Sequence, residues 1–404
     1  MKGNHLSPRA VTMVDFSKEL EGLDRSGLKR MLHEVEGPQD RILRSGGREY
    51  LNFSSNNYLG LANHPELRRA AMQGLERYGV GSGAARLVNG SQSPAHRLEE
   101  KLAQFKNAEA ALVFNSGYHA NLGALSSLAG AGDAIFSDEL NHASMIDGIR
   151  LSKAERIVYP HNDLSSLEEK MQVARKNLKA DATLWIATET VFSMDGDLAP
   201  LKELAALAKQ YDAWLYLDEA HATGIFGAKG AGLWEAEAPD FPSERLVQMG
   251  TLGKALGCFG AYIAATQTVS DFLLHKARSF VFTTALPPSI LEAALCALHL
   301  VEKQPDLRRQ LAQHLEQFEA MAQQKIPGWT SRVQSPIIPI PVGDPLKAVA
   351  LSDWLREKGF WVQAIRPPTV PLGGSRLRVT LMATHRPSDL QQLVDALAAG
   401  MKMI

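Results

Sequence analysis

Cysteine is almost missing from this 404-residue chain: Cys258 and Cys296 are its only two. One pair cannot staple a protein of this size, so a disulfide framework is excluded and a reducing, cytoplasmic compartment is expected. Long apolar runs are missing as well. No uncharged stretch is long enough to span a bilayer. The first twenty residues place Lys2, Arg9, Asp15, Lys18 and Glu19 among their apolar neighbours, which leaves no secretory h-region. Nor is there an excess of either charge. The 43 Lys+Arg against 44 Asp+Glu give a net charge of −1, so nothing electrostatic calls for nucleic acid or an anionic membrane. The metal spacings H-E-x-x-H and C-x-x-C are absent, and so is the G-x-S-x-G elbow of serine hydrolases. There is no internal repeat and no low-complexity tract.

What is present is an ordinary globular composition, 45% hydrophobic and 22% charged, with a length suited to one large domain and a smaller one. Short β-rich runs recur at 111–114, 134–137, 156–159, 183–188, 214–217, 246–249 and 261–264. Helical stretches lie between several of them, such as 201–211 with Leu201, Leu204, Ala205 and Leu207 on one face. This alternation predicts an α/β fold with a mostly parallel sheet covered by helices. After Pro287-Pro288 the pattern turns to α+β, with helices at 290–302 and 306–324, strands near 337–340 and 377–381, and a last helix from Ser388. Three segments are therefore expected: a helical N-terminal arm over 1–50, a large domain over 51–287 and a small C-terminal domain over 288–404.

The most telling residue is Lys254, framed by glycines in Gly250-Thr251-Leu252-Gly253-Lys254-Ala255-Leu256-Gly257. Upstream, the apolar run 214–217 ends in Asp218-Glu219-Ala220-His221. Pyridoxal phosphate (PLP) requires a lysine for its Schiff base and an acid beside its ring nitrogen, because a carboxylate there favours the protonated ring. Both fall just beyond the carboxyl ends of predicted strands, where parallel α/β sheets place ligands. Asp218-Glu219-Ala220-His221 also reads as a helicase Walker B segment. That reading needs an upstream P-loop, and the one Gly-Lys, at Gly253-Lys254, lies downstream without the Ser or Thr for magnesium. Asp218 alone would be an ordinary strand-end cap; His221 and Lys254 together change its meaning. His221 is placed to bond either the cofactor's phenolic oxygen or Asp218.

Ser116-Gly117-Tyr118 follows a strand and opens a helix, so its amides suit a phosphate, and Ser116 can equally be a plain N-cap. Gly79-Val80-Gly81-Ser82-Gly83 loosely imitates a dinucleotide fingerprint. It follows a helical stretch rather than a strand, so a tight turn near the site is the better reading.

The chain resembles the α-oxoamine synthase family of fold-type I PLP enzymes from Leu51 to its end. The matching blocks are Asn52–Leu61, Gly81–Arg86, Asn141-His142-Ala143-Ser144, Thr190–Asp197, Asp218–His221, Thr251–Lys254 and Phe282–Pro288. It departs at Ala84-Ala85, where many relatives carry glycine or serine. Ile365–Pro371, Arg376-Leu377-Arg378 and His385 are most similar to members that join L-alanine to a pimeloyl thioester in biotin synthesis. Sister members use glycine with acetyl or serine with palmitoyl donors, or make autoinducers. A PLP-fold binding protein without turnover is the alternative of another class, and the intact Lys254, Asp218 and Arg366 speak against it.

The resemblance implies a PLP-dependent acyltransferase that releases CO2 and thiol. Lys254 carries the cofactor and moves the Cα proton. Asp218 faces the ring nitrogen, His221 and Ser193 face the phenolic oxygen, and His142 stacks on the ring. Ser116, Gly117, Tyr118 and Thr251 hold the phosphate. Thr283 reaches the phosphate of a second subunit in a homodimer with shared sites. Asn57 and Arg366 hold the substrate carboxylate. The donor is pimeloyl-CoA or the pimeloyl carrier-protein form.

Overall fold

The computed structural model describes residues 15–403 except residue 238. The expected helical arm differs from what is found. Residues 1–14 lie outside the described residues, and helix covers only Phe16–Arg25. The chain then runs without helix to a β-hairpin, β1 (Ile42–Ser45) and β2 (Arg48–Asn52), turned by Gly46-Gly47. Both glycines have positive φ, 57° and 71°, so the pair supplies a left-handed hairpin turn within the segment expected to be a helical arm.

The large sheet contains β3 (Ala110–Phe114), β4 (Ala134–Asp138), β5 (Glu155–Tyr159), β6 (Leu184–Glu189), β7 (Ala213–Asp218), β8 (Leu246–Thr251) and β9 (Ala261–Ala265). Their order is β3-β9-β8-β7-β6-β4-β5, parallel except for β9, which pairs antiparallel with both neighbours. β3, β4, β6, β7, β8 and β9 are buried along their length apart from Trp214, as expected for strands with helices on both faces. Alternate residues feed two cores. Leu215 and Leu217 pack in the larger cluster, and Tyr216 packs in a second one with Phe114, Met145 and Met249. Each such buried Leu contributes about 1.5–3 kcal/mol.

The C-terminal region carries β10 (Ile337–Gly343), β11 (Phe360–Trp361), β12 (Gln363–Ile365) and β13 (Ser375–Thr380). β13 lies between β10 and β12 in an antiparallel sheet, while β11 joins the β1–β2 hairpin through β2. Helices Pro288–Lys303, Pro305–Lys325, Pro345–Glu357 and Pro387–Gly400 complete this part, each opened by a proline whose missing N–H costs nothing there.

Because β3, β4, β6, β7 and β8 run in one direction, their carboxyl ends share one edge of the sheet. The segments carrying Ser116, His142, Ser193, Asp218 and Lys254 all leave from that edge.

Candidate active site

Asp218 ends β7 and is buried. Its Oδ2 accepts from Asn121 Nδ2 at 2.8 Å and its Oδ1 from the Ala220 N–H at 2.9 Å. Asn121 is itself fixed, since its Oδ1 accepts from Tyr216 at 2.7 Å and its Nδ2 also reaches Ser144 Oγ at 2.9 Å. The acid is thus aimed by a network that the sequence pattern did not reveal.

His221 does not pair with Asp218, one of the two options its spacing left open. Its Nδ1 lies 2.7 Å from the Tyr58 hydroxyl and its Nε2 2.8 Å from Lys254 Nζ. Tyr58 donates its own proton to Asn56 Oδ1 at 3.1 Å, so His221 Nδ1–H donates to Tyr58 and Nε2 accepts from Lys254. Burial, followed by the charges of Lys254, Arg378 and His142, holds the ring well below the usual histidine value, so it is neutral.

Lys254 sits in the turn joining β8 to β9. Gly257 shapes that turn: its φ is +66°, and a Cβ there would lie 2.4 Å from the Ala62 nitrogen. Burial pushes the Lys254 amine down to about 8; Asp218 and Glu189 oppose the shift and Arg378 adds to it. An amine near 8 keeps a useful neutral fraction at neutral pH.

Ser116 caps the helix Gly117–Leu128, its Oγ accepting from the His119 N–H at 3.2 Å. The amides of Gly117 and Tyr118 belong to the first turn and have no intrahelical carbonyl, which leaves them for an anion. The Tyr118 side chain is turned outward to Asp147. Thr251 is buried, but its hydroxyl serves its own loop, donating to Gly260 O at 3.0 Å and accepting from the Gly253 N–H at 3.2 Å. Thr283 is half-buried and accepts from Asn115 Nδ2 at 3.2 Å.

His142 caps the helix Ala143–Leu151 and lies 2.7 Å from Ser144 Oγ through Nδ1. Its pKa is lowered by burial; the charge of Asp218 opposes this and that of Lys254 reinforces it, which places the ring among these groups. Ser193 donates its N–H to Glu189 Oε2 at 3.1 Å, and its carbonyl accepts from Arg378 Nε at 2.7 Å. Glu189, at the end of β6, is pushed up to about 8 by burial and by Asp218, and its Oε1 is buried without a partner.

Asn57 is buried, with Oδ1 accepting from the Ala62 N–H at 3.0 Å and Nδ2 left without a partner. Arg366, expected at the substrate carboxylate, is held by the N-terminal segment. Its guanidinium donates to the Gly27 and Lys29 carbonyls, beside a groove of about 350 Å³ also lined by Arg30 and Thr369. The guanidinium whose charge reaches Lys254 and His221 is that of buried Arg378.

Four residues were missed by sequence reasoning: Asn121, Tyr58, Glu189 and Arg378. Glu189 could have been found as the acid ending a predicted strand, as Asp218 was. Arg378 lay inside a quoted motif, and only its register set it apart.

Free first-turn amides, a buried acid, a lysine near 8 and orphaned polar atoms on Asn57 and Glu189 form a set that suits PLP. The pattern of the family described as aminotransferase class I and II matches residues 48–397. The 8-amino-7-oxononanoate synthase of Geobacter sulfurreducens is 50% identical over 383 residues, 94% of this chain and 96% of that protein. The chain belongs to the class I and II aminotransferases and, among them, to the α-oxoamine synthases. A structure of serine palmitoyltransferase from S. paucimobilis with a bound PLP–myriocin aldimine superposes with a TM-score of 0.89 at 27% identity, covering 96% of this chain and 97% of that one. The 8-amino-7-oxononanoate synthase of Francisella tularensis gives 0.74 at 32% identity, covering 88% and 98%. The family's cofactor is PLP. Among the described residues no helix is long and apolar enough to cross a membrane.

Proposed function

We propose that the chain condenses L-alanine with a pimeloyl thioester, giving 8-amino-7-oxononanoate, CO2 and free thiol. The observation that carries the reading is the Lys254 amine, depressed to about 8 and 2.8 Å from neutral His221, within the charge field of Asp218. Half-identity to proteins of that name over nearly the whole chain supports this substrate pair over that of the less similar serine palmitoyltransferase.

PLP, when bound, supplies an electron sink for charge released at the amino-acid Cα. The chain's residues do the rest. Asp218, aimed by Asn121, holds the proton on the ring nitrogen. Lys254 moves the Cα proton, with His221 Nε2 as its resting acceptor. The Gly117 and Tyr118 amides anchor the phosphate, and His142 covers the ring. The orphaned Nδ2 of Asn57 and the Arg378 guanidinium hold the alanine carboxylate; Arg378 takes the part that the sequence had assigned to Arg366. Arg366, Arg30 and Thr369 line the groove that receives the acyl chain, and two guanidinium groups there suit a chain ending in a carboxylate. Thr251 supports the phosphate by shaping its loop.

A second copy completes the site. Val80, Val88 and Phe282 are 80%, 77% and 72% exposed, on segments joined by the Ala85–Thr284 bridge beside Thr283, Val88 within the short π-helical turn Arg86–Gly90. An apolar face of this kind fits a homodimer with Thr283 at the seam. Two free thiols fit a cytoplasmic protein.

The test is a donor panel. Pimeloyl-CoA and pimeloyl carrier protein with L-alanine should far outpace acetyl-CoA with glycine and palmitoyl-CoA with serine. Lys254→Ala should abolish turnover, and borohydride should no longer fix the cofactor. Borohydride labelling of another lysine in the wild-type protein would refute the assignment.

A further inference from the structure

The loop after the edge strand β5 carries a histidine with no part in the chemistry above. His161 Nδ1 lies 3.0 Å from Asp138 Oδ1, and its Nε2 lies 2.7 Å from Asp197 Oδ2. Asp138 ends β4 and begins the turn that leads to His142. Asp197 closes the loop that begins at Thr190 and holds Ser193, its carbonyl accepting from the Phe192 N–H at 3.0 Å. One imidazole therefore touches two of the segments that carry residues of the proposed cofactor site.

We propose that His161 is a positioning residue, a cationic pin that fixes the His142 turn and the Ser193 loop relative to each other. The inference rests on the PLP reading of that site.

The geometry around the ring supports it. Two carboxylates flank both ring nitrogens, and only an imidazolium can donate to both. Burial alone would lower the His161 pKa, but hydrogen bonds to Asp138 and Asp197 and their charges outweigh it and raise the group to about 10. The pin is also braced. The Asn162 N–H donates to Asp138 Oδ2 at 2.9 Å, and Asn162 Nδ2 reaches Asp197 Oδ2 at 3.1 Å and Leu198 O at 3.3 Å. The Phe192 ring stands edge-on to the imidazole, centroids 4.3 Å apart, and covers it. Asp138 Oδ1 also accepts from the Leu140 N–H at 2.9 Å, so the pin and the His142 turn share one carboxylate.

His161→Gln leaves two carboxylates facing a neutral amide. Removing one of those charges in the double variant His161→Gln/Asp197→Asn relieves their repulsion. PLP affinity of the dimeric protein, followed by absorbance, should fall about tenfold in His161→Gln and recover partly in the double variant. Hydrogen exchange measured without cofactor should quicken in 138–142 and 190–197, with 337–343 unchanged. Asp197→Asn alone keeps the Asp138 contact and should shift both readings in the same direction by less, so it carries the test if His161→Gln does not fold. Unchanged exchange in both loops of the folded variants overturns the proposal. A wild-type chain that binds no PLP overturns the functional reading instead, and the cofactor-free exchange result still judges the pin.

Discussion

Arg366 and Arg378 leave the same short stretch of chain and end in opposite settings. Arg378 lies in the middle of β13, opposite Pro339 of β10 and Gln363 of β12. Its neighbours Leu377 and Val379 point into the core, so the pleat sends Arg376 and Arg378 to the other face. There both meet one loop: Arg376 pairs with Asp195, and Arg378 holds the Ser193 carbonyl and Asn56 Oδ1. Arg366 follows the end of β12, where no strand fixes its direction, and it reaches back to Gly27 and Lys29. Burial, then the charge of nearby Arg30, lowers its pKa, which marks a cationic corner open to solvent. The comparison teaches that strand register, and not the prominence of a motif, selected the arginine that serves Lys254.

The strongest way to break the comparison is Arg378→Ala. The variant frees the Ser193 carbonyl and, on the proposed reading, strips a buried charge from the alanine carboxylate. A loss of about 2–5 kcal/mol in kcat/KM for L-alanine is expected, roughly 30-fold or more. Arg378→Lys should recover only part, because an ammonium cannot reproduce the fork that binds the Ser193 carbonyl and a carboxylate together. A near-normal alanine KM in Arg378→Ala would return the clamp to Arg366.

Arg366→Ala should be milder and should appear in the other substrate. Its guanidinium is partly exposed, so loss of a charged hydrogen bond to the acyl chain's far end costs about 1.5 kcal/mol, near tenfold in the KM for pimeloyl-CoA. The alanine KM should hold, and preference for pimeloyl over palmitoyl donors should narrow. A raised alanine KM with an unchanged donor KM would show that the two arginines have been assigned the wrong way round.

The same contrast explains what could be seen in advance. The strands of the large sheet were legible because doubly buried parallel strands are short, continuous apolar runs, as at Leu184–Glu189. Asp218 and Lys254 were legible because strand-end position and glycine framing are local signals. The hairpin at 42–52 was missed because its single buried face is weak and the positive φ of Gly46 and Gly47 is also a helix-stop signal. Tyr58, Asn121 and Arg378 were not legible, because each meets the site across a large sequence separation. Tyr58 and His221 are 163 positions apart, and Asn121 and Asp218 are 97 apart. No local period encodes such meetings. The position of Arg366 was not legible for a related reason: its partners, Gly27 and Lys29, lie in an arm whose path depends on the fold.

The smallest expected effect tests the groove most finely. Thr369 Oγ1 accepts from Arg30 Nη2 at 3.2 Å in an exposed setting. Thr369→Val keeps the shape and removes the acceptor. Exposed hydrogen bonds of this sort contribute about 0.5–1 kcal/mol, so the KM for pimeloyl-CoA should rise about two- to fivefold. The alanine KM and the melting temperature should stay where they were, because neither Arg378 nor the buried core is touched. The direction matters more than the size. If Arg30 uses Thr369 to face the acyl chain, losing that brace weakens donor binding. If Thr369 instead holds Arg30 away from the chain, the variant binds pimeloyl-CoA more tightly, and the acyl-carboxylate role would then belong to Arg30 once released. Steady-state kinetics at saturating alanine separate the two, and an effect confined to alanine would place this groove on the amino-acid side and overturn the division between Arg366 and Arg378.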